Sequence, residues 1–385
     1  MWTHSTTSTR SCPTEAAQTV DRPDPANARC RGEGLKLGTP GIDEEQVGRF
    51  LREHVSGARG PFRFELIKGG RSNLTYRVRD GDRSFVLRRP PLGHILPTAH
   101  DMAREHRVLS ALADTAVPVP RPLALCQDPA VNEQVFYVME DRPGVVLQAG
   151  FDPAFAARPE ERRAIGVALA EALATLHAID PEAVGLGDFG RPEGYVERQV
   201  RRWAKQWEGN RTGPLPEIDE LLARLGRALP RSGGAAIIHG DYRLGNLALD
   251  PADPSRIVAI FDWEMATLGD PLADLGYTLI YWVQEGEVED VGSGGVSARP
   301  GFPTRDELVE IYAKASGRAV ESADFYQVLA LTKLAVISEG IYKRWRMGKT
   351  VGEGMASIDR AAPVMAARAL AIADGASDVR LRGVS

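Results

Sequence analysis

Asp241, Asn246 and Asp262 are the residues of this chain whose types and spacing most directly imply chemistry. The first two stand in IIHGDYRLGN. There an apolar, strand-like Ile237-Ile238 leads into His239-Gly240-Asp241, and Asn246 follows the aspartate by five positions. Asp262 closes a second apolar run, Ile257 to Phe261. Phosphoryl transfer from ATP needs such a set: a carboxylate to orient the attacking hydroxyl and receive its proton, and oxygen ligands to hold Mg²⁺ on the triphosphate. Mg²⁺ combines one or two carboxylates with phosphate and water. Asp241 is therefore the expected catalytic residue, Asn246 and Asp262 the metal ligands, and ATP and Mg²⁺ the cofactors. His239 reads as a scaffold histidine bonded to backbone, and Glu264 stands within reach of a metal-bound water.

An H-x-D-x-x-x-x-N element followed by a strand-end Asp is the catalytic half of the protein-kinase signature, here with Gly240 in place of its Arg. HGDYRLGN, then FDWEMATLGDPLADLGY, resembles the aminoglycoside phosphotransferase family. The wording is closest to the branch that also occurs as the kinase-like domain fused to some acyl-CoA dehydrogenases. The resemblance runs from about Glu44 to Ala373. It implies an α+β, two-lobed protein-kinase-like fold, with a small antiparallel-sheet N-lobe and a mainly helical C-lobe, acting on small molecules. It also implies that Asp274 braces the catalytic loop.

Such a fold needs a cationic strand residue, a helix carboxylate to orient it and a turn over the phosphates. In FVLRR, side chains alternate across the strand, so Val86 and Arg88 share one face while Leu87 and Arg89 share the other. By the resemblance, Val86 covers adenine and Arg88 meets the phosphates where the family usually has Lys; Arg89 is the runner-up. Glu105 follows Met102 by three and precedes Leu109 by four, which places it on an apolar helix stripe. A carboxylate there needs a partner, and Arg88 is the natural one. KGGRSNLTY offers Gly70, Ser72 and Asn73 as phosphate contacts or as a plain hairpin turn. Met139 to Arg142 is the expected adenine hinge.

Strands are expected at Phe62–Ile67, Leu74–Val78, Ser84–Arg88 and Val135–Met139, and helices at Gln46–His54 and Ala99–Ala113. Asp141-Arg142-Pro143-Gly144 then breaks the pattern. Mostly helical periodicity follows, over Glu161–Ala178, Tyr195–Trp207, Asp274–Val283, Arg305–Ala315, Asp324–Trp345 and Gly354–Ala373. The expected organisation is a disordered tail at 1–42, a nucleotide-binding N-lobe at 43–141, a catalytic and substrate-binding C-lobe at 142–376, and a tail at 377–385.

A formal charge of −5 gives no global pull towards nucleic acid or anionic membrane. No run approaches the roughly 18 apolar residues of a membrane span. Residues 1–18 lack the apolar core of a signal peptide. Cys12, Cys30 and Cys126 suggest no disulfide framework, so a reduced, cytoplasmic protein is expected. Arg198, Arg201, Arg202 and Lys205 form a helical stripe, and Lys343, Arg344, Arg346 and Lys349 a second basic cluster. A solvated face is the ordinary reading of either. If they border the cleft, they favour an anionic hydroxylated small molecule over a polycationic aminoglycoside, and the resemblance to the branch fused to acyl-CoA dehydrogenases implies a hydroxyacyl-CoA. The acidic run Glu285, Glu287, Glu289, Asp290 points the other way. The expected activity is ATP-dependent small-molecule O-phosphotransfer. Alternatives are an aminoglycoside O-phosphotransferase and a non-catalytic ATP-binding module.

Overall fold

The structure is a computed structural model and describes residues 39–67, 73–92, 100–231, 234–287, 292–348 and 358–383. Gly70, Ser72, Lys349, Glu289 and Asp290 lie outside these residues. A helix α1 (Glu44–His54) opens the fold, with Asp43 as its cap accepting from the Gln46 N–H. Then come β1 (Arg63–Leu66), β2 (Leu74–Asp80), β3 (Arg83–Arg89), α2 (Met102–Leu112), β4 (Pro122–Cys126) and β5 (Phe136–Glu140). The strands form one antiparallel sheet in the order β1-β2-β3-β5-β4.

The two faces of this sheet are made different by period-two alternation. Phe85 and Leu87 of β3, with Tyr76, Val78, Phe136 and Val138, pack against Val47, Phe50 and Leu51 of α1. Val86, Tyr137 and Met139 point the other way, into the core shared with the rest of the molecule. Arg89 follows Leu87 to the α1 side, where its guanidinium donates to the Gly41 and Pro90 carbonyls. Residues 39–42 are fastened to the same side: the Tyr76 hydroxyl donates to Pro40 O at 2.6 Å, and Ile42 is buried.

The remainder is mostly helical. After β6 (Val145–Val146) run α3 (Pro159–His177), α4 (Tyr195–Asn210) and α5 (Pro216–Arg227). Four short strands follow, β7 (Ala236–Ile238), β8 (Leu247–Leu249), β9 (Ile257–Ile260) and β10 (Thr267–Gly269). The chain ends in α6 (Pro271–Tyr281), α7 (Arg305–Ser316), α8 (Ala323–Arg346), α9 (Ile358–Gly375) and α10 (Val379–Arg382). The architecture is α+β, with an antiparallel sheet first and helices after it.

Some elements differ from expectation for local reasons. Helix α6 starts at Pro271, earlier than the expected Asp274, because Asp270 caps it and proline suits a first helical position. Helix α5 stands outside the expected set, yet Ile218, Leu221 and Leu225 bury one face of it. Strand β4 also stands outside the expected set, and Pro122–Cys126 adds to the free edge of β5. Among the described residues, no helix is long and apolar enough to cross a membrane.

Candidate active site

Strand β7 delivers His239, Gly240 and Asp241 to the surface of the helical region, and three anchors set their backbone. Buried Asp274 of α6 accepts from the His239 N–H at 2.6 Å and the Gly240 N–H at 2.7 Å. The His239 ring lies with Nε2 2.8 Å from Phe261 O, while its Nδ1 accepts from the Asp241 N–H at 3.2 Å. One imidazole tautomer, protonated on Nε2, satisfies both contacts. Gly240 supplies the third anchor: its φ is positive, a conformation that glycine adopts without a Cβ penalty. His239 and Asp274 are therefore structural supports of the loop, as their sequence context suggested. Burial opposes the charge on Asp274, but His177 and His239 hold its carboxyl below the usual range.

Pairing of β8 with β9, which extends through Phe261 N–H donating to Asn246 O at 2.8 Å, brings Asn246 and Asp262 to the lining of one cleft. The Asn246 amide nitrogen donates 2.8 Å to both the carbonyl and Oδ2 of Asp241. That commitment orients the amide and leaves its oxygen as a potential ligand. Asp262 takes the left-handed backbone conformation, which Asp tolerates better than most residues. Its side chain is turned towards the sheet, where Arg88 Nη2 donates to Oδ1 at 2.5 Å.

Arg88 links the two regions. Its Nε lies 3.1 Å from Glu105 Oε2 of α2 and its Nη2 lies 3.8 Å from Glu264. Neither Arg88 Nε nor Glu105 Oε2 makes a directed hydrogen bond there, so the Glu105 contact is ionic. Burial works against the Arg88 charge, but Glu105, Tyr137 and Asp262 hold it above its ordinary value. Glu105 is the member that yields: burial outweighs the pull of Arg88 and pushes its carboxyl up to about 7. Arg88, not Arg89, thus occupies the site, because α1 covers the face to which Arg89 points.

The cleft between the sheet and the helical region has a volume of about 900 Å³. Val86, Met139 and Ile260 give it an apolar end, and Val86 and Met139 are register partners across β3 and β5. Arg142 lines it and pairs with Glu140 at 2.6 Å. Arg88, Glu105, Asn246, Asp262 and Glu264 line it too. Asn73 donates to Glu264 Oε2 at 2.9 Å, which ties the start of β2 to the segment after Asp262. Among the described residues, no cluster of three or more His, Cys, Asp or Glu side chains suits a metal. An amide oxygen and a carboxylate fit an ion whose remaining ligands are phosphate and water, the ordinary state of protein-bound Mg²⁺.

The described residues of the basic helices do not line this cleft. Arg198 is spent on the carbonyls of Arg191 and Glu193, Arg201 pairs with Glu197 at 3.6 Å, and Lys343 donates to Gly209 O at 2.6 Å. In the acidic run, Glu287 pairs with Arg305. Three groups near Asp241 lie outside the set expected from the sequence: Arg243, Tyr277 and Lys333. Arg243 stands inside the motif, two positions after Asp241, whereas Lys333 carries no local signal.

Fold and site together define a kinase-like phosphotransferase. The chain matches the model of the phosphotransferase enzyme family APH over residues 63–325, and it belongs to that family. It is 33% identical over 353 residues to mouse acyl-CoA dehydrogenase family member 10, covering 86% of this chain and 32% of that protein. Against human acyl-CoA dehydrogenase family member 11 it is 33% identical over 319 residues, covering 81% of this chain and 40% of that protein. The chain therefore spans two fifths or less of these relatives. Among solved structures, a candidate aminoglycoside phosphotransferase from Ralstonia eutropha superposes with a TM-score of 0.75 at 34% identity, over 88% of this chain and all of that one. Aminoglycoside phosphotransferase APH(4)-Ia, solved as a thermostable mutant with AMP-PNP and hygromycin B, shares the fold at TM-score 0.51 and 16% identity, over 82% of this chain and 98% of that one.

Proposed function

We propose that this chain transfers the γ-phosphate of ATP to a hydroxyl of a small molecule. The observation that carries the reading is that Asn246 bonds directly to Asp241 and shares the lining of one cleft with Asp262, which faces Arg88. Asp241 orients the acceptor hydroxyl and receives its proton. Asn246 and Asp262 would hold Mg²⁺, which supplies neutralisation of the phosphate charge when bound. Arg88, kept in place by Glu105, would meet the phosphates; Val86 and Met139 would pack on adenine beside the hinge at Arg142. Gly70, Ser72 and Asn73 complete the phosphate side in this reading. Residues 43–141 then form the nucleotide-binding lobe and 142–376 the catalytic and acceptor-binding lobe.

For the acceptor, a hydroxyacyl-CoA is favoured by the named relatives, which carry acyl-CoA dehydrogenase in their names. The test is ADP release over a panel of hydroxyacyl-CoAs, aminoglycosides and simple alcohols. Asp241→Asn is expected to cut turnover on the true substrate about 10²–10⁴-fold with Mg-ATP binding retained. Equal rates in the two proteins on every acceptor would sink the assignment. The Arg88–Asp262 bridge favours one second reading, a nucleotide-sensing module whose metal carboxylate is held by arginine. Tight Mg-ATP binding without turnover across the panel would support it.

A further inference from the structure

Asp241 is ringed by groups to which the roles assigned above give no part. Half-buried Arg243 places Nε 3.3 Å from Asp241 Oδ1 and its guanidinium 5.1 Å over the Tyr281 ring. The Tyr281 hydroxyl lies 3.4 Å from that of Tyr277, which stands in the field of the Asp241 carboxylate. From α8, half-buried Lys333 sets its ammonium 4.6 Å over the Tyr277 ring and donates to Gly240 O at 3.3 Å. Arg202 of α4 adds a further positive charge near Lys333.

The carboxylates nearby are already engaged. Asp274 spends both oxygens on the His239 and Gly240 N–H groups. Asp241 Oδ2 accepts from Asn246. Its Oδ1 contact with Arg243 is long for a hydrogen bond, so an acceptor hydroxyl can displace it. An ammonium has three donors and a guanidinium five, so both cations keep donors for a ligand. Donors, positive charge and aromatic walls thus surround the place where the acceptor hydroxyl must stand.

We propose that Arg243 and Lys333 form an acceptor subsite that binds an oxygen-rich electron-withdrawing group, a carboxylate or a thioester carbonyl, carried a few bonds from the reacting hydroxyl. The proposal rests on the phosphotransfer reading and narrows it: the pair selects hydroxy acids or their thioesters over polycations and plain alcohols. Arg243 releases Asp241 to the hydroxyl as it turns to the acceptor's carbonyl group.

The experiment compares wild type, Arg243→Gln, Arg243→Lys and Lys333→Gln on three acceptors: a hydroxyacyl-CoA, the free hydroxy acid and a simple alcohol. Equilibrium binding of each acceptor with Mg-ADP present is measured beside turnover, so an inactive wild type still gives a result. Each Gln variant is expected to weaken binding or raise KM about 10-fold or more for the better of the two carbonyl acceptors, since a charged donor is lost. The Mg-ATP dissociation constant stays within about twofold, and Arg243→Lys recovers part of the loss. Whichever carbonyl acceptor suffers more identifies the source, thioester or free acid. A parallel loss of Mg-ATP affinity would assign the cations to the nucleotide and overturn the proposal. So would an equal loss on the simple alcohol, or no acceptor binding to any of the proteins.

Discussion

Arg88 of β3 donates to Asp262 across the cleft at 2.5 Å while its Nε rests 3.1 Å from Glu105. One guanidinium therefore ties the sheet, α2 and the turn after β9. A compact ammonium would not span the same pair with planar, forked donors.

Glu105 is 2% exposed, so removing its partner leaves a buried carboxyl that must stay charged without compensation or bind a proton. Arg88→Met is expected to lower unfolding free energy at pH 8 by about 3–5 kcal/mol, the usual cost of breaking a buried pair. Adding Glu105→Gln should recover most of it, because replacing both charges removes the orphan. Urea unfolding of the two single variants and the double variant closes the cycle. Additive losses would mean that the two side chains act independently.

The same burial makes stability depend on pH. Glu105 has its carboxyl at about 7 in the folded chain against 4.5 when unperturbed. The folded state thus binds the proton more tightly than the unfolded one. Its contribution is fully present below the unfolded value and is lost as pH rises through the folded one. The window lies between 4.5 and about 7. A shift of this size corresponds to on the order of 3 kcal/mol. Wild type measured against Glu105→Gln by thermal melts from pH 4.5 to 8 should therefore lose ground as pH rises, in the nucleotide-free protein. A constant difference across that range would contradict the raised carboxyl.

The Asp241-Asn246 spacing and the strand-end Asp262 were legible because a loop between short strands is a local object. The pairing of β3 alternation with Arg88, and the apolar stripe that holds Glu105, were legible for the same reason. What period two could not decide was which face of β3 meets the cleft. That depended on α1 covering Phe85 and Leu87, a tertiary fact that also explains why Arg89 is structural. Lys333 was hidden for a different reason. Its neighbours read as one more turn of an apolar helix, and only the packing of α8 beside α6 brings it to Gly240. The stripe from Arg198 to Lys205 was visible as a pattern, but spacing cannot show that Arg198 is used to fasten carbonyls of its own preceding turn.

Gly240 offers a test of the loop's backbone. A Cβ added there would stand 2.8 Å from Met265 O, and the positive φ is strained for any L side chain. Gly240→Ala should cost about 1–3 kcal/mol of stability and lower kcat more than it raises KM for ATP, because the strain falls on Asp241. Steady-state kinetics with a melting curve separates the two effects. An alanine variant with wild-type kcat would show that Asp241 tolerates a moved loop.

The last prediction turns on Asp262, whose left-handed backbone and carboxylate charge can be separated by choice of substituent. Asparagine tolerates the same positive φ almost as well, so Asp262→Asn removes charge and leaves the turn. Alanine would add backbone strain to the loss of charge. If the carboxylate holds Mg²⁺, the Asn variant should need about tenfold or more Mg²⁺ for half-maximal turnover, since it keeps one hard oxygen but loses the charge. Arg88 simultaneously loses a partner and retains Glu105, so the melting temperature without metal should change little in the Asn variant and fall in the Ala variant. Chelation by EDTA should abolish turnover in wild type and variant alike. An unchanged Mg²⁺ requirement in Asp262→Asn would remove this residue from the metal site and leave its bridge to Arg88 as its main role.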